Sequence, residues 1–108
     1  EIRRSVLHFG QKVNFEGHST LAINRRGEGD LGEHIRSLGY EIAYCYIEGP
    51  QNGKMITFVT LFSDKVDVSV IAQKFGGGGH AGAAGFSFER GSGPFPPDSH
   101  WEQLITKD

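Results

Sequence analysis

The sequence contains little cysteine and little proline. Its 108 residues include one Cys and four Pro. A single Cys excludes an internal disulfide and argues against a four-ligand zinc site. A protein without disulfides suits a reducing compartment, so we expect a cytoplasmic location. The few prolines, together with glycines that follow no three-residue period, exclude a collagen-like chain.

Net charge is also small, and long apolar runs are missing. The formal net charge is −2 and the isoelectric point is about 6.2, so contact with nucleic acid requires a local basic patch. No apolar run is long enough to cross a membrane, and the first residues do not resemble a signal peptide. The chain begins at Glu1 instead of Met, and we expect a fragment of a longer protein.

Aromatic residues and glycines are plentiful instead. Eight Phe, three Tyr and one Trp supply bulky core material, which excludes a disordered tail. A chain of this length suits one compact domain. The sixteen glycines are the extreme value of the composition, and four of them are consecutive.

The first half of the chain predicts a helix, a strand and a second helix. Apolar residues at helical spacing predict a helix over residues 1–13, and residues 20–24 predict a short strand. Asp30 is expected to cap the second helix, with Glu33 as its capping-box partner. Gly39 is positioned to end that helix in the left-handed conformation.

The second half predicts a hairpin, a helix and a last strand. Residues 41–47 are apolar on both alternating sets, which predicts a central strand covered on both faces. A turn over 49–53 joins it to a strand over 55–62. Asp67 can cap the following helix, and residues 84–88 predict the final strand. The order predicts a single α+β domain, with helices packed on a mixed sheet of about four to five strands.

A run of four glycines followed by a histidine is the sharpest feature. Ordering four glycines costs backbone entropy, so the run implies either a tight backbone or a closely approaching ligand. Successive N–H groups can form an anion-binding nest, and His80 can add a charge-assisted hydrogen bond to phosphate. We expect a positive φ at Gly78, which a valine would resist. A flexible connector between helix and strand is the structural alternative. The run fits neither a Walker A loop nor a dinucleotide fingerprint.

The residues around this run carry a specific resemblance. Residues 66–86, VDVSVIAQKFGGGGHAGAAGF, closely resemble the C-terminal DHH-associated domain of DHH-family phosphoesterases. That family includes RecJ-type exonucleases and enzymes that degrade nanoRNA or cyclic dinucleotides. The resemblance covers about residues 20–90. It implies that residues 1–108 are the smaller, substrate-binding half of an enzyme that hydrolyses short oligonucleotides or small phosphonucleotides.

The resemblance also implies which residues contact the substrate. Ser63 matches a serine that commonly assists in the family. Gly76, which directly precedes Gly77, is a further candidate. Arg25 and Arg26 are candidate contacts for a nucleic-acid backbone, with a solvated loop pair as the alternative. The substrate contacts themselves fall on four residues: Gly77, Gly78, Gly79 and His80.

One position departs from the family pattern. Many relatives carry an arginine immediately before the serine, where this chain has Phe62. Alternation along the strand puts Phe58, Thr60 and Phe62 on one face, so we expect Phe62 in the core. If the strand breaks at Phe62, the ring reaches the cleft instead and stacks on a base.

The metal centre of the family is not encoded in this chain. It contains no Asp-His-His motif, and its five histidines have no metal-ligand spacing. The resemblance implies that manganese is held by an N-terminal DHH domain of the same polypeptide, which would be the partner of this chain. We therefore expect the chain alone to be inactive and to bind a nucleotide or a short single-stranded oligonucleotide, without a membrane. The oligomeric state is left open.

Two other classes of function stay open at this point. A related domain of alanyl-tRNA synthetases binds tRNA without chemistry, although the slight acidity argues against a large tRNA footprint. The third class is a structural or dimerisation domain. His80 argues against this class, because nothing structural requires a histidine at that position. Tyr44, Tyr46 and Cys45 are expected in the core, and Trp101 is expected to dock the C-terminus through a turn with Leu104 and Ile105.

Overall fold

A computed structural model describes residues 11–92 and the backbone of residues 102–103, and the structural statements below concern these residues. The predicted α+β class is confirmed. The strands form one mixed sheet in the order β5-β6-β4-β3-β2-β1-β7, in which β2 and β3 are parallel and the other described pairs are antiparallel. The elements are β1 (Gln11–Phe15), β2 (His18–Asn24), α1 (Gly29–Ser37), β3 (Ile42–Gln51), β4 (Lys54–Phe62), α2 (Val68–Lys74), β5 (Gly78–His80), β6 (Ala83–Glu89) and β7 (Glu102–Gln103).

The two helices lie on opposite faces of the sheet, and we name the faces the α1 face and the α2 face. The buried residues of β3 alternate between them: Ala43 and Cys45 pack with α1, whereas Ile42 and Tyr44 pack with α2. This confirms the prediction of a strand covered on both faces. The parallel pair β2–β3 requires a crossover connection, and α1 supplies it.

Each face has its own hydrophobic core. The α2 face is aromatic: Phe15, Phe75 and Phe86 surround the fully buried Tyr44, and Tyr46 is half-buried with its ring centroid 6.0 Å from that of Tyr44. Both tyrosines thus belong to the core, as predicted. The smaller core under α1 consists of Leu21, Ile23, Leu31, Ile35, Ala43, Cys45 and Phe62.

The sheet has more strands than the predicted four to five, because β1, β5 and β7 were not predicted. Residues 11–13 belong to β1, so the helix prediction over 1–13 is wrong there. Val13 and Phe15 are buried while the residues beside them are exposed, and this period of two decides for a strand. Residues 1–10, Trp101, Leu104 and Ile105 lie outside the described residues.

The helix ends follow the predictions with one correction. Helix α1 has Glu28 as its N-cap and no side-chain cap, so Asp30 does not cap it but lies in its first turn, where a carboxylate favours the helix dipole. Gly39 ends α1 with φ of 97°, as predicted. Asp67 caps α2 as predicted, because its Oδ1 accepts a hydrogen bond from the Ser69 N–H at 3.0 Å.

The β3–β4 hairpin is longer than predicted. Its turn is the two-residue pair Asn52-Gly53, with φ of 52° and 79°, instead of all of 49–53. Asn-Gly favours this tight turn because both positions need a positive φ. Pro50 fits inside β3 because β2 pairs with β3 only as far as Tyr46, and an edge segment tolerates a residue without an N–H group.

Candidate functional site

The first two glycines of the run complete the end of α2. Gly76 has φ of 88°, and its N–H donates to the Gln73 carbonyl at 3.1 Å. The N–H of Gly77 donates to the Ala72 carbonyl at 2.8 Å. Both groups satisfy helix carbonyls, so they are not directed at a ligand in this structure.

The rest of the run is the edge strand β5. Gly78 pairs with Gly85, Gly79 with Ala84 and His80 with Ala83, and β5 forms the outer edge of the sheet. The flexible connector that was the structural alternative is therefore wrong as well, because residues 78–80 form a strand. Along a strand, consecutive N–H groups point alternately to opposite sides within the sheet, so in an edge strand only every second N–H is unpaired and points outward. This geometry differs from the predicted nest, in which consecutive N–H groups converge on one anion.

The glycines of the run are required for different reasons. A Cβ on Gly77 would lie 2.0 Å from the Gly85 carbonyl oxygen, and one on Gly79 would lie 2.6 Å from Ala84 Cα, at a φ of 145°. Neither position can accept a side chain without movement of the backbone. These two glycines are therefore explained by the fold itself.

Gly78 has no such internal reason. Its φ lies outside the left-handed region, so the expectation of a positive φ there is wrong. Apart from Gly78 itself and its two chain neighbours, no atom of the described residues lies within 4 Å of the place where its Cβ would be. Strand geometry removes the predicted strain, and the space beside Gly78 stays open.

His80 is exposed at the end of β5, on the α1 face. Residues that pair directly across antiparallel strands project to the same side of a sheet. The register runs from Ala43 through Phe62 and Ala83 to His80, and Ala43 lies under α1. The imidazole therefore projects beyond the helix, on the side of the sheet toward which Gly78 is open.

Ser63 is buried, with 3% of its surface exposed. Its hydroxyl donates to the Glu41 carbonyl at 2.6 Å and accepts from the N–H groups of Lys65 and Val66 at 3.1 and 2.9 Å. Its own N–H donates to the Gly82 carbonyl at 3.1 Å, which ties the β5–β6 turn to the end of β4. Ser63 thus holds the backbone next to His80, and its contact with substrate stays a prediction. A shallow pocket of about 330 Å³ opens at this turn.

Phe62 lies in the core, as predicted. The ring is 8% exposed and belongs to the cluster under α1. Helix α1 lies directly on it, since a Cβ on Gly32 would be 2.5 Å from Phe62 Cγ. A glycine inside a short amphipathic helix is the sequence feature that indicates this close packing. The ring therefore does not replace the family's arginine in a cleft.

A second pocket, of about 530 Å³, lies on the α1 face beside the N-terminal end of the helix. Arg26 is exposed at this pocket, whereas Arg25 is half-buried. The exposed parts of the pocket wall, Ile47 and Phe58, are 37% and 36% accessible, and sequence reasoning did not identify them as site residues. The alternation that groups Phe58 with Phe62 indicates the shared face, but not where α1 stops covering it. The pocket is lined by Arg26, Gly27, Cys45, Ile47, Phe58 and Thr60.

Cys45 behaves as the predicted small buried hydrophobe. It is 1% exposed, and burial raises the pKa of its thiol to about 12. A thiol with so high a pKa is almost entirely protonated at neutral pH, which makes it a poor nucleophile. The pocket therefore has no activated cysteine.

Two further properties bear on the chemistry. Within residues 11–92, no three His, Cys, Asp or Glu side chains come together as metal ligands would. In the same part of the chain, neither helix is long and apolar enough to span a bilayer.

Comparison with known proteins identifies relatives by sequence family and by fold. The DHHA1 domain family matches residues 31–99, which is more than half of the chain. No curated protein sequence matches the chain significantly. The fold is similar to that of an uncharacterized protein from Helicobacter pylori G27, with a TM-score of 0.59 and 16% identity over 89% of this chain and 26% of that one.

The fold is also similar to that of the pGpG-specific phosphodiesterase PggH from Vibrio cholerae. The TM-score is 0.55 and the identity 14%, over 82% of this chain and 32% of that one. At these identities the likeness concerns the fold. The chain spans about a quarter to a third of the length of these two proteins.

Proposed function

The chain belongs to the DHHA1 domain family, and we propose that it is the substrate-binding domain of a DHH-family phosphoesterase. In this proposal a DHH domain of the same polypeptide holds manganese and hydrolyses the phosphoester, whereas this chain holds the phosphate and the nucleotide. The substrate is a short oligonucleotide or a small phosphonucleotide. A cytoplasmic location belongs to the same proposal, because one cysteine suits a reducing compartment.

The observation that carries the proposal is the open space at Gly78 beside the exposed His80. Gly78 has neither a strained φ nor a close neighbour among the described residues, so the fold does not explain its lack of a side chain. A ligand that approaches the backbone closely does explain it. His80 projects to the same side and, when protonated, can donate a charge-assisted hydrogen bond to a phosphate oxygen.

The structure also supports a stable position for this edge. The β5–β6 turn is held by the hydrogen bond from the Ser63 N–H to the Gly82 carbonyl, and the Val68 N–H donates to the Ala81 carbonyl at 3.0 Å. A binding group placed on fixed backbone needs less ordering when the ligand arrives. In the proposal, Ser63 thus acts as a positioning residue for the phosphate contact.

Calorimetric titration of the chain with AMP and with adenosine tests the proposal. AMP is expected to bind, adenosine to bind more weakly, and His80→Ala to weaken AMP binding by about 1.5–3 kcal/mol, the size expected for a hydrogen bond to a charged group. His34→Ala, a histidine on α1, is the matched control and should leave the affinity unchanged. Equal binding of AMP by the wild type and by His80→Ala would reject His80 as a phosphate ligand.

A further inference from the structure

A lysine lies beside the β5–β6 turn, which directly follows the candidate phosphate ligand His80. The loop between β4 and α2 is fastened to this turn at both of its ends, by hydrogen bonds from the N–H groups of Ser63 and Val68 at 3.1 and 3.0 Å. Lys65 lies on the loop between them, and its own N–H donates to Ser63 Oγ at 3.1 Å. The backbone of Lys65 is therefore held by the same contacts that hold the end of β5.

The shallow pocket of about 330 Å³ at this turn contains one cation. Among the described residues that line it, Lys65 alone is positively charged, and Ala81, the residue directly after His80, belongs to the same wall. A lysine carries its charge on a flexible four-carbon stem with three donors. The ammonium group can therefore approach a phosphate at His80 while the backbone stays fixed.

The ammonium group of Lys65 has no partner within the described part of the chain. Lys54 and Lys74 each form an ion pair with a glutamate. Lys65 is exposed, and its side chain forms no ion pair or hydrogen bond with the described residues. An anion that enters the pocket can therefore bind this charge without breaking an existing contact.

Two carboxylates also line the pocket, and only one of them is engaged by the fold. Asp67 Oδ1 accepts hydrogen bonds from the N–H and the hydroxyl of Ser69, so its charge serves the first turn of α2. Asp64 is exposed and forms no hydrogen bond or ion pair with the described residues. Its charge opposes an anion in the pocket, whereas the charge of Lys65 favours one.

We propose that Lys65 binds the substrate phosphate together with His80. The inference rests on the proposed function and adds a specificity-determining residue to it. The attraction between a cation and an anion grows with the charge of the anion. Lys65 should therefore favour a doubly charged phosphate monoester over a singly charged diester.

Calorimetry with AMP and with its singly charged methyl ester tests the inference on the same chain. Lys65→Gln should weaken AMP binding about tenfold, the loss expected for one hydrogen bond to a charged group. The methyl ester should lose less affinity, so the preference for AMP over the ester should fall. Lys65→Arg keeps a cation at this position and should bind AMP within about threefold of wild type.

Two further variants change one charge each. Lys54→Gln removes the same charge at the far end of β4 and is the matched control, so AMP affinity and the preference over the ester should both be retained. Asp64→Asn removes the opposing charge from the pocket and should strengthen AMP binding about twofold. Circular dichroism melting of all four variants shows that each one is folded.

The outcomes separate the two proposals. If Lys65→Gln binds AMP as tightly as the wild type, the role of Lys65 is wrong, and the proposed function stands provided that His80→Ala weakens AMP binding. Equal losses for AMP and its methyl ester would also reject Lys65, because the phosphate charge would then not matter. If AMP does not bind the wild type, the proposed function fails and the inference fails with it. A selective loss of AMP affinity in Lys65→Gln that Lys65→Arg restores supports the inference.

Discussion

In this chain, the burial of a single residue depends on what lies next to it in space. Phe62 and Phe58 lie in the same strand, and their side chains are on the same face of the sheet. Phe62 is nevertheless buried under α1, whereas Phe58 is 36% exposed. Alternation along β4 predicted their common face, and the core position of Phe62 with it. The exposure of Phe58 depends on where α1 begins above the sheet, and no local pattern encodes that.

The buried position of Phe62 leads to a test at this scale. Phe62→Leu keeps an apolar side chain under Gly32 of α1, so the melting temperature should fall only modestly, by the equivalent of about 1 kcal/mol. AMP affinity should stay within about twofold of wild type, because the ring does not face the ligand. A tenfold loss of affinity at an unchanged melting temperature would contradict the core position and make Phe62 a ligand contact.

At the scale of elements, strong local patterns predicted α1, α2, β2, β3, β4 and β6. The unpredicted strands are short or compositionally unusual. In β5 the residues are Gly78, Gly79 and His80, and glycine is depleted in strands, so only pairing with β6 makes this segment a strand. The N-cap of α1 also differs from the predicted one. The Asp30 side chain could cap a helix, but α1 begins one residue before it, with Glu28 as the N-cap. Such tertiary pairing and close packing are not visible in local sequence.

Strand β5 separates glycines that the fold requires from one that it does not. Gly77→Ala should destabilise the chain by about 1–3 kcal/mol, because the new Cβ meets the Gly85 carbonyl oxygen at 2.0 Å. Gly78→Ala places its Cβ in open space and should leave the free energy of unfolding within about 0.5 kcal/mol of wild type. Urea denaturation of the two variants measures both values.

The substitution that leaves stability unchanged, Gly78→Ala, should nevertheless reduce ligand affinity. Gly78→Ala is expected to weaken AMP affinity despite normal stability, since its methyl group enters the space through which the phosphate approaches the backbone. Retention of full AMP affinity by a stable Gly78→Ala variant would mean that no ligand comes close to this strand.

At the scale of the whole molecule, the sheet is asymmetric. The α2 face carries a continuous aromatic core, whereas the α1 face is covered by α1 over only part of its area. The uncovered part brings together three features that are distant in sequence: the exposed His80, the open space at Gly78, and the pocket beside Arg26. The glycine-histidine motif identified one of these from sequence, but their convergence on one face depends on the strand register.

The most direct test of the account is a map of where a phosphate ligand binds. Titration of the ¹⁵N-labelled chain with AMP, followed by amide chemical shifts, reports every described residue that has an N–H group. We predict the largest shifts at Gly78, Gly79 and His80, smaller ones at the amides of the neighbouring strand β6, and almost none in β1 near the opposite edge of the sheet. Saturable shifts centred elsewhere, or no saturable shifts at millimolar AMP, would contradict the central claim that this edge of the sheet binds the substrate phosphate.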